Sequence, residues 1–171
     1  MSYTDSVVHD AQLYVGQLEK QPNLGFQDPD FAKKMDAVGF YSGASWCGFF
    51  VMMVLFETYA DNPAVLAYLK QYCSPSTLTM WRNFRASPQV ITGQIPKLGA
   101  VAIWQEGDGT SGHTGIVVDI SADGTQYTTV EGNSNSNGSR NGFEVAQNKH
   151  TLGQPHSQFG LNLLGFGYMP V

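Results

Sequence analysis

The chain has 171 residues, of which 42% are hydrophobic and 12% aromatic, so it is long enough and apolar enough to bury a sizeable core. Charged residues make up only 13% and the net charge is -5, which argues against a nucleic-acid-binding protein and against a basic patch for anionic surfaces. The longest apolar run, 49–56, is far shorter than the roughly 20 residues that span a bilayer. A globular protein without membrane insertion is expected.

Five helices are predicted in the first half of the chain. Hydrophobic periodicity, capping residues and prolines predict them at 4–18, 29–38, 46–59, 64–71 and 76–84. The third of these is apolar nearly all round, so we expect it to be the central helix of the core.

Strands are predicted in the second half, where Val, Ile, Thr and Tyr are frequent. Their expected positions are 100–104, 115–120, 126–131, 143–146 and 161–168. The polar segment 133–142 contains two Asn-Gly pairs and predicts a hairpin loop, which either borders a substrate groove or is simply solvated. Helices followed by strands indicate an α+β fold with an antiparallel sheet, and no repeat or second domain is recognisable in 1–171.

Cys47 stands where a small, polar run changes to the apolar third helix. Ser45 is the predicted N-cap, which puts Cys47 in the first turn. There the unpaired N–H groups and the positive end of the helix dipole favour a thiolate, the form in which cysteine is a nucleophile. The alternative is a structural cysteine buried in the core.

A histidine and two polar side chains near strand ends complete a candidate catalytic set. His113 opens the second predicted strand, and Glu131 and Asn133 end the third, two residues apart on what we expect to be one face. In such a set His113 takes a proton from Cys47, and either Glu131 or Asn133 orients the imidazole. Backbone N–H groups at the start of the Cys47 helix are candidates to stabilise an oxyanion.

Five segments of the chain resemble motifs of one known family when they are taken in order. They are NLG (23–25), SWCGFFV (45–51), PKLGAVAIW (96–104), GHTGIV (112–117) and VEGN (130–133). Together they resemble the CHAP amidase/peptidase family, within the wider NlpC/P60 papain-like group, over most of the chain. Two departures are Ala100, where members often have Asp, and Thr114, where an aliphatic residue is commoner.

The resemblance implies a papain-like fold, with N-terminal helices packed on a C-terminal antiparallel sheet, and hydrolysis of amide bonds in bacterial peptidoglycan. It also implies that Cys47 is the nucleophile, that His113 is the base, and that Glu131 and Asn133 are the acidic and amide residues that follow the histidine. Trp46 and Tyr41, close to Cys47 in sequence, are predicted to contact the substrate; for Tyr41 the alternative is a packed loop residue.

The remaining cysteine and histidines have no predicted role in chemistry. Cys73 is interpreted as structural, with both cysteines free thiols because no secretion signal is recognisable. The other histidines, His9, His150 and His156, are interpreted as surface or loop residues. No spacing typical of metal ligands is found, so no metal or other cofactor is expected.

The favoured hypothesis is a peptidoglycan hydrolase, either an N-acetylmuramoyl-L-alanine amidase or an endopeptidase. One alternative is a cysteine-dependent deamidase or transglutaminase-like toxin that acts on proteins, and another is a non-catalytic binding module on the same fold. The expected partners are peptidoglycan and, for a toxin, a cognate inhibitor or immunity protein. A protein of this kind is expected to be made in the bacterial cytoplasm and to reach the wall or periplasm through lysis, phage delivery or injection.

Overall fold

A computed structural model of the chain describes residues 2–136 and 142–170. Helices come first within these ranges: α1 (Tyr3–Leu13), α2 (Pro29–Ala37), α3 (Cys47–Thr58), α4 (Pro63–Tyr72) and α5 (Thr77–Ala86). Strands follow: β1 (Ile91–Gly93), β2 (Val101–Glu106), β3 (Gly112–Ile120), β4 (Gln126–Ser134), β5 (Glu144–Thr151) and β6 (Leu161–Tyr168). The strands form one antiparallel sheet in the order β1-β6-β2-β3-β4-β5. The α+β class predicted from the sequence is therefore confirmed.

The two faces of the sheet have different neighbours. Successive side chains of β2 alternate between two apolar clusters, as the geometry of a strand requires. Val101 and Ile103 belong to the larger cluster, which also contains the buried residues of the helices. Ala102 and Trp104 belong to a smaller cluster that contains only residues of the sheet half, Tyr127 among them. The helices therefore cover one face, and the second face has its own small core.

Helix α3 is the central helix, as predicted. Most of its side chains are buried, and it packs against α1, α2, β3 and β4. An apolar helix of this kind gains its stability from burial on every side rather than from an amphipathic stripe. Its N-terminus is held beside β3 and β4, the two strands that carry the predicted histidine and carboxylate. No helix in the described part of the chain is both long and apolar enough to cross a membrane.

Several elements differ from the prediction. Helix α1 ends at Leu13 instead of Leu18, because Gly16 adopts a φ of +90° and its N–H donates to the carbonyl of Val145 in β5. Strand β1 was not predicted. Strand β5 continues to Thr151, well beyond the predicted end at 146, because its polar residues pair with β4. Residues 137–141 of the predicted hairpin loop lie outside the described residues.

Candidate active site

Cys47 is the first residue of α3. Its side chain is almost fully buried and lines a small cleft. The predicted N-cap was wrong: Trp46, not Ser45, occupies that position, and its side chain makes no capping hydrogen bond. The chain turns at Trp46 because its indole is anchored in the core. The first N–H groups of a helix have no intrahelical partner, so this N-terminus offers donors and the positive end of a dipole beside the thiol.

Trp46 belongs to the core and not to the substrate surface. Its side chain has no exposed area, and its Nε1–H donates to Oε2 of Glu19 at 2.6 Å. Its ring meets the ring of Phe26 edge-on, with centroids 5.1 Å apart. A direct substrate contact, which the sequence predicted, is therefore corrected to a structural role: Trp46 fixes the point at which α3 begins.

The cleft beside Cys47 has a volume of about 190 Å³. Its lining is mostly small and polar, and it comprises Ser45, Cys47, Pro75, Ser76, Thr77, Thr110, Ser111, Gly112 and Asn133. Asn133 also lines a neighbouring cavity of about 220 Å³ that contains Glu19. Tyr41 is not among the lining residues of either cavity; it is 67% exposed and its ring meets that of Phe49.

His113 is the second residue of β3 and is completely buried. Its Nε2 lies 2.8 Å from Oε2 of Glu131, whereas its Nδ1 has no hydrogen-bond partner among the described residues. Burial alone lowers the pKa of the imidazole, but its interactions with Cys47 and Glu131 outweigh burial and raise the pKa. Cys47 is thus a close neighbour of His113, although the two do not meet the distance and angle of a formed hydrogen bond. Catalytic hydrogen bonds are often loose in structures without substrate.

Glu131 is a buried carboxylate at the centre of a polar cluster. Burial on its own raises the pKa of this carboxyl, but hydrogen bonds and charge interactions with His113 and His150 lower it below its usual range. Five side chains lie within hydrogen-bond distance of its two oxygens: His113, Thr129, Ser134, Asn148 and His150. A carboxylate accepts hydrogen bonds and cannot donate them, so both histidines present an Nε2–H to it.

Gly115 makes room for Glu131. A Cβ atom at this position would lie 2.6 Å from Cγ of Glu131 and 2.9 Å from the carbonyl oxygen of Val130. Any larger residue would therefore displace either the Glu131 side chain or the backbone of β4. The glycine two residues after the histidine thus allows β3 and β4 to approach closely beside His113.

Asn133 does not share the environment of Glu131, although strand alternation predicted a common face. The register of β4 against β5 shifts between Glu131 and Ser134, and Asn133 adopts a φ of +53°. This irregularity turns Ser134 toward the carboxylate, with Oγ at 3.1 Å from Oε2, and turns Asn133 toward the cleft of Cys47. The sequence left open which residue bonds the imidazole; in the structure Nε2 of His113 is paired with Glu131.

His150 was predicted to be a surface or loop residue, and that prediction was wrong. It lies on β5 with its Nε2 2.6 Å from Oε1 of Glu131. Glu19 and Asn148 were also missed, although both are buried polar residues of this region. The two β5 residues could be found from strand pairing. If β5 is extended antiparallel to β4, His150 pairs with Tyr127, and the His150 side chain then lies on the same face of the sheet as Glu131.

The other candidate groups take no part in this cluster. His9 is exposed, and His156 is largely exposed with its Nε2 3.0 Å from Asp108. Cys73 is a free, buried thiol at the C-cap of α4, and burial raises its pKa to about 12, so it is a poor nucleophile. In residues 2–136 and 142–170 no group of three or more His, Cys, Asp or Glu side chains is arranged to hold a metal ion.

Comparison with known families gives a match to a model described as CHAP domain, over residues 39–133. The matched segment is more than half of the chain and contains α3 with Cys47, strand β3 with His113, and Glu131 and Asn133 of β4. It ends before β5. No curated protein and no solved structure matches the chain.

Proposed function

The chain belongs to the CHAP domain family, and from this membership and its site we propose that it is a hydrolase that cleaves an amide bond of bacterial peptidoglycan. In this proposal Cys47 is the nucleophile, His113 the general base and acid, and Glu131 the residue that orients the imidazole. Whether the bond is the junction between sugar and peptide or a bond within the peptide is decided by the experiment below.

One observation carries the proposal: the two nitrogens of the buried His113 ring have different environments. Nε2 is paired with the carboxylate of Glu131, whereas Nδ1 has no hydrogen-bond partner in residues 2–136 and 142–170, and Cys47 is the other group that interacts with the ring. A general base needs one nitrogen held and the other available for the nucleophile. The raised pKa of His113 also favours an imidazole that accepts the proton of a thiol.

The first half of the proposed reaction forms a thioester. Sγ of Cys47 attacks the carbonyl carbon of the scissile amide while its proton goes to Nδ1 of His113. The negative charge on the carbonyl oxygen is stabilised by N–H groups at the N-terminus of α3. The C–N bond then breaks, and the imidazolium gives its proton to the leaving amine.

The second half restores the enzyme. His113 takes a proton from a water molecule, whose oxygen attacks the thioester carbonyl. The C–S bond then breaks, the imidazolium returns the proton to Sγ, and a carboxylic acid and the thiol of Cys47 are released. The positive charge of the imidazolium in each half is balanced by the buried carboxylate of Glu131. Asn133, which lines the cleft, is proposed to contact the substrate near the reacting carbonyl.

We further propose that the fold is of the papain-like type and that the whole chain forms one catalytic domain. Support comes from the arrangement of a nucleophile-bearing helix ahead of a sheet that carries the base. Support also comes from a contact between the helical half and the C-terminal part of the chain, since the Tyr59 hydroxyl at the end of α3 donates to the carbonyl of Pro170 at 2.7 Å.

The test is digestion of purified peptidoglycan of several chemotypes, with released fragments identified by mass spectrometry. The wild-type protein is expected to release fragments whose new termini name the bond, and Cys47→Ala is expected to release none while unfolding at a similar temperature. Cys73→Ala is the matched control, because it removes the other thiol, which lies outside the cleft. It should retain the activity.

Two outcomes would contradict the proposal. The first is undiminished digestion by Cys47→Ala, which would show that Cys47 is not the nucleophile. The second is the absence of fragments from every chemotype with folded wild-type protein, which would exclude wall hydrolysis and favour a protein substrate or a binding role.

A further inference from the structure

The carboxylate of Glu131 is shared between two histidines, one on each oxygen. Oε2 lies 2.8 Å from Nε2 of His113, and Oε1 lies 2.6 Å from Nε2 of His150. We propose that His150 is a positioning residue of the hydrolase: its N–H fixes the rotation of the Glu131 carboxylate and thereby the direction in which Nδ1 of His113 points. This inference rests on the proposed catalytic role of His113.

The hydrogen bond from His150 restrains the rotation of the Glu131 carboxylate. Oε2 accepts hydrogen bonds from His113, Ser134 and Asn148, whereas Oε1 accepts hydrogen bonds from Thr129 and His150. Without His150, Oε1 keeps the hydrogen bond from Thr129 but loses its donor from β5, so the carboxylate is held less firmly against rotation about its Cγ–Cδ bond. Because a buried charged group interacts strongly with its donors, a small rotation changes the bond to His113.

His150 is itself held in place by aromatic packing. Its ring centroid lies 4.7 Å from the Trp104 ring and 5.4 Å from the Tyr127 ring. Trp104 is in turn the cross-strand partner of His113. The two histidines are therefore linked twice, through the carboxylate and through Trp104, as expected for a preorganised site whose supporting residues lock the catalytic ones.

His150 also connects the buried cluster to a second cavity. Its side chain is 20% exposed and borders a cavity of about 700 Å³ whose lining includes Trp104, Tyr127 and His156. The row of polar side chains thus begins at the cleft of Cys47, passes through His113 and Glu131, and ends at this separate cavity. The family match stops before β5, so the assignment of His150 comes from the structure of this chain alone.

Two substitutions separate the hydrogen bond of His150 from its packing. His150→Gln retains a terminal N–H donor at about the distance of Nε2 but removes the ring. His150→Phe retains an aromatic ring against Trp104 and Tyr127 but removes the donor. Each variant is compared with wild type for its melting temperature, and for kcat and apparent KM on solubilised, dye-labelled peptidoglycan.

We expect kcat of His150→Phe to fall about 10- to 100-fold with KM unchanged, the usual loss when a residue that orients a catalytic group is removed. His150→Gln should stay within about threefold of wild type, because the donor is restored. Retention of full kcat by His150→Phe would overturn the proposal. A loss of kcat in both variants that is fully explained by their fraction of unfolded protein would also overturn it, because a residue that acts only through packing would have this effect.

A second measurement needs no substrate and therefore separates this proposal from the proposed function. In a Cys47→Ala background, ¹⁵N NMR of the histidine side chains reports the tautomer and environment of His113. We expect His150→Phe, but not His150→Gln, to shift or broaden the His113 nitrogens. If the wild type cleaves no peptidoglycan and these shifts appear, the proposed function fails and the positioning role stands; unchanged His113 signals in both variants reject the positioning role.

Discussion

Nε2 of His113 and Oε2 of Glu131 are 2.8 Å apart, and each side chain is 1% exposed. Two ionisable groups at this distance and depth are stable only as partners, since an unpaired buried charge is costly. Their pKa values move in opposite directions, upward for the imidazole and downward for the carboxyl. Each group thus favours the charged form of the other, so the carboxylate stabilises the imidazolium that forms when His113 accepts a proton, and this has measurable consequences.

Glu131→Gln is expected to lower kcat about 100-fold or more, because the amide has no charge to balance the imidazolium and can turn its NH₂ toward Nε2 of His113. The measurement is the initial rate of peptidoglycan solubilisation. Asn133→Gly is the comparison, because glycine adopts the φ of +53° without strain. It should change KM more than kcat, since Asn133 lines the cleft while Glu131 holds the histidine. A larger loss of kcat in Asn133→Gly than in Glu131→Gln would reverse this assignment.

The stability of the protein is expected to depend on pH through the same pair. Glu131 has a lowered pKa, so its contribution is fully present above its ordinary value of 4.5 and is lost as the pH falls toward the folded-state value. His113 has a raised pKa, so its contribution is fully present below 6.5 and is lost as the pH rises through the folded-state value. Stabilisation by the pair is therefore greatest between pH 4.5 and 6.5.

Urea unfolding at a series of pH values measures this dependence. The difference in free energy of unfolding between wild type and Glu131→Gln should be largest in that window and decline on both sides, by at most about 1.4 kcal/mol per pH unit for each group. Glu131→Gln serves as the reference because the other titrating groups remain. A difference that is constant from pH 3 to pH 9 would show that the pair is not ionised in the folded protein.

The central parts of the site were predictable because local signals mark them. Cys47 stands at a sharp change from polar to apolar sequence, and His113 and Glu131 lie in strands with clear β-branched composition. These signals depend only on neighbouring residues, and they predicted the existence of α3, β3 and β4 and, as one of two alternatives, the pairing of His113 with Glu131.

The supporting residues were not predictable in the same way, because they depend on register and on contacts distant in sequence. His150 follows a polar run that ended the predicted strand too early, so its pairing opposite Tyr127 was not anticipated. Glu19 meets Trp46 through a contact 27 residues away in sequence. The shift in register after Glu131 broke the alternation from which a common face with Asn133 was inferred.

The contact between Glu19 and Trp46 is expected to stabilise the start of α3. Trp46→Phe keeps most of the apolar volume but leaves the buried carboxylate without its indole donor, which should cost about 1–3 kcal/mol. A double-mutant cycle with Glu19→Gln measures the coupling, and we expect about 1.5–3 kcal/mol for one hydrogen bond to a charged acceptor. A coupling near zero in urea unfolding would mean that Trp46 acts through packing alone.

Gly115→Ala is expected to damage the site without touching a reacting group. The new Cβ would lie 2.6 Å from Cγ of Glu131 and 2.9 Å from the carbonyl oxygen of Val130, so either the carboxylate or the backbone of β4 must move. Overpacking of this kind costs about 1–3 kcal/mol, and displacement of Glu131 should lower kcat as well. The free energy of unfolding and the rate of peptidoglycan solubilisation are measured together.

Gly109→Ala is the matched control for this substitution. Gly109 is exposed in the turn after β2, and a Cβ there would come no closer than 3.3 Å to its nearest neighbour, the carbonyl oxygen of Glu106. Its effect on stability should stay within about 0.5 kcal/mol. If Gly115→Ala keeps full activity while losing stability, β4 has moved as a unit with Glu131 and His113 still paired, and the close fit at Gly115 serves the fold rather than the catalytic geometry.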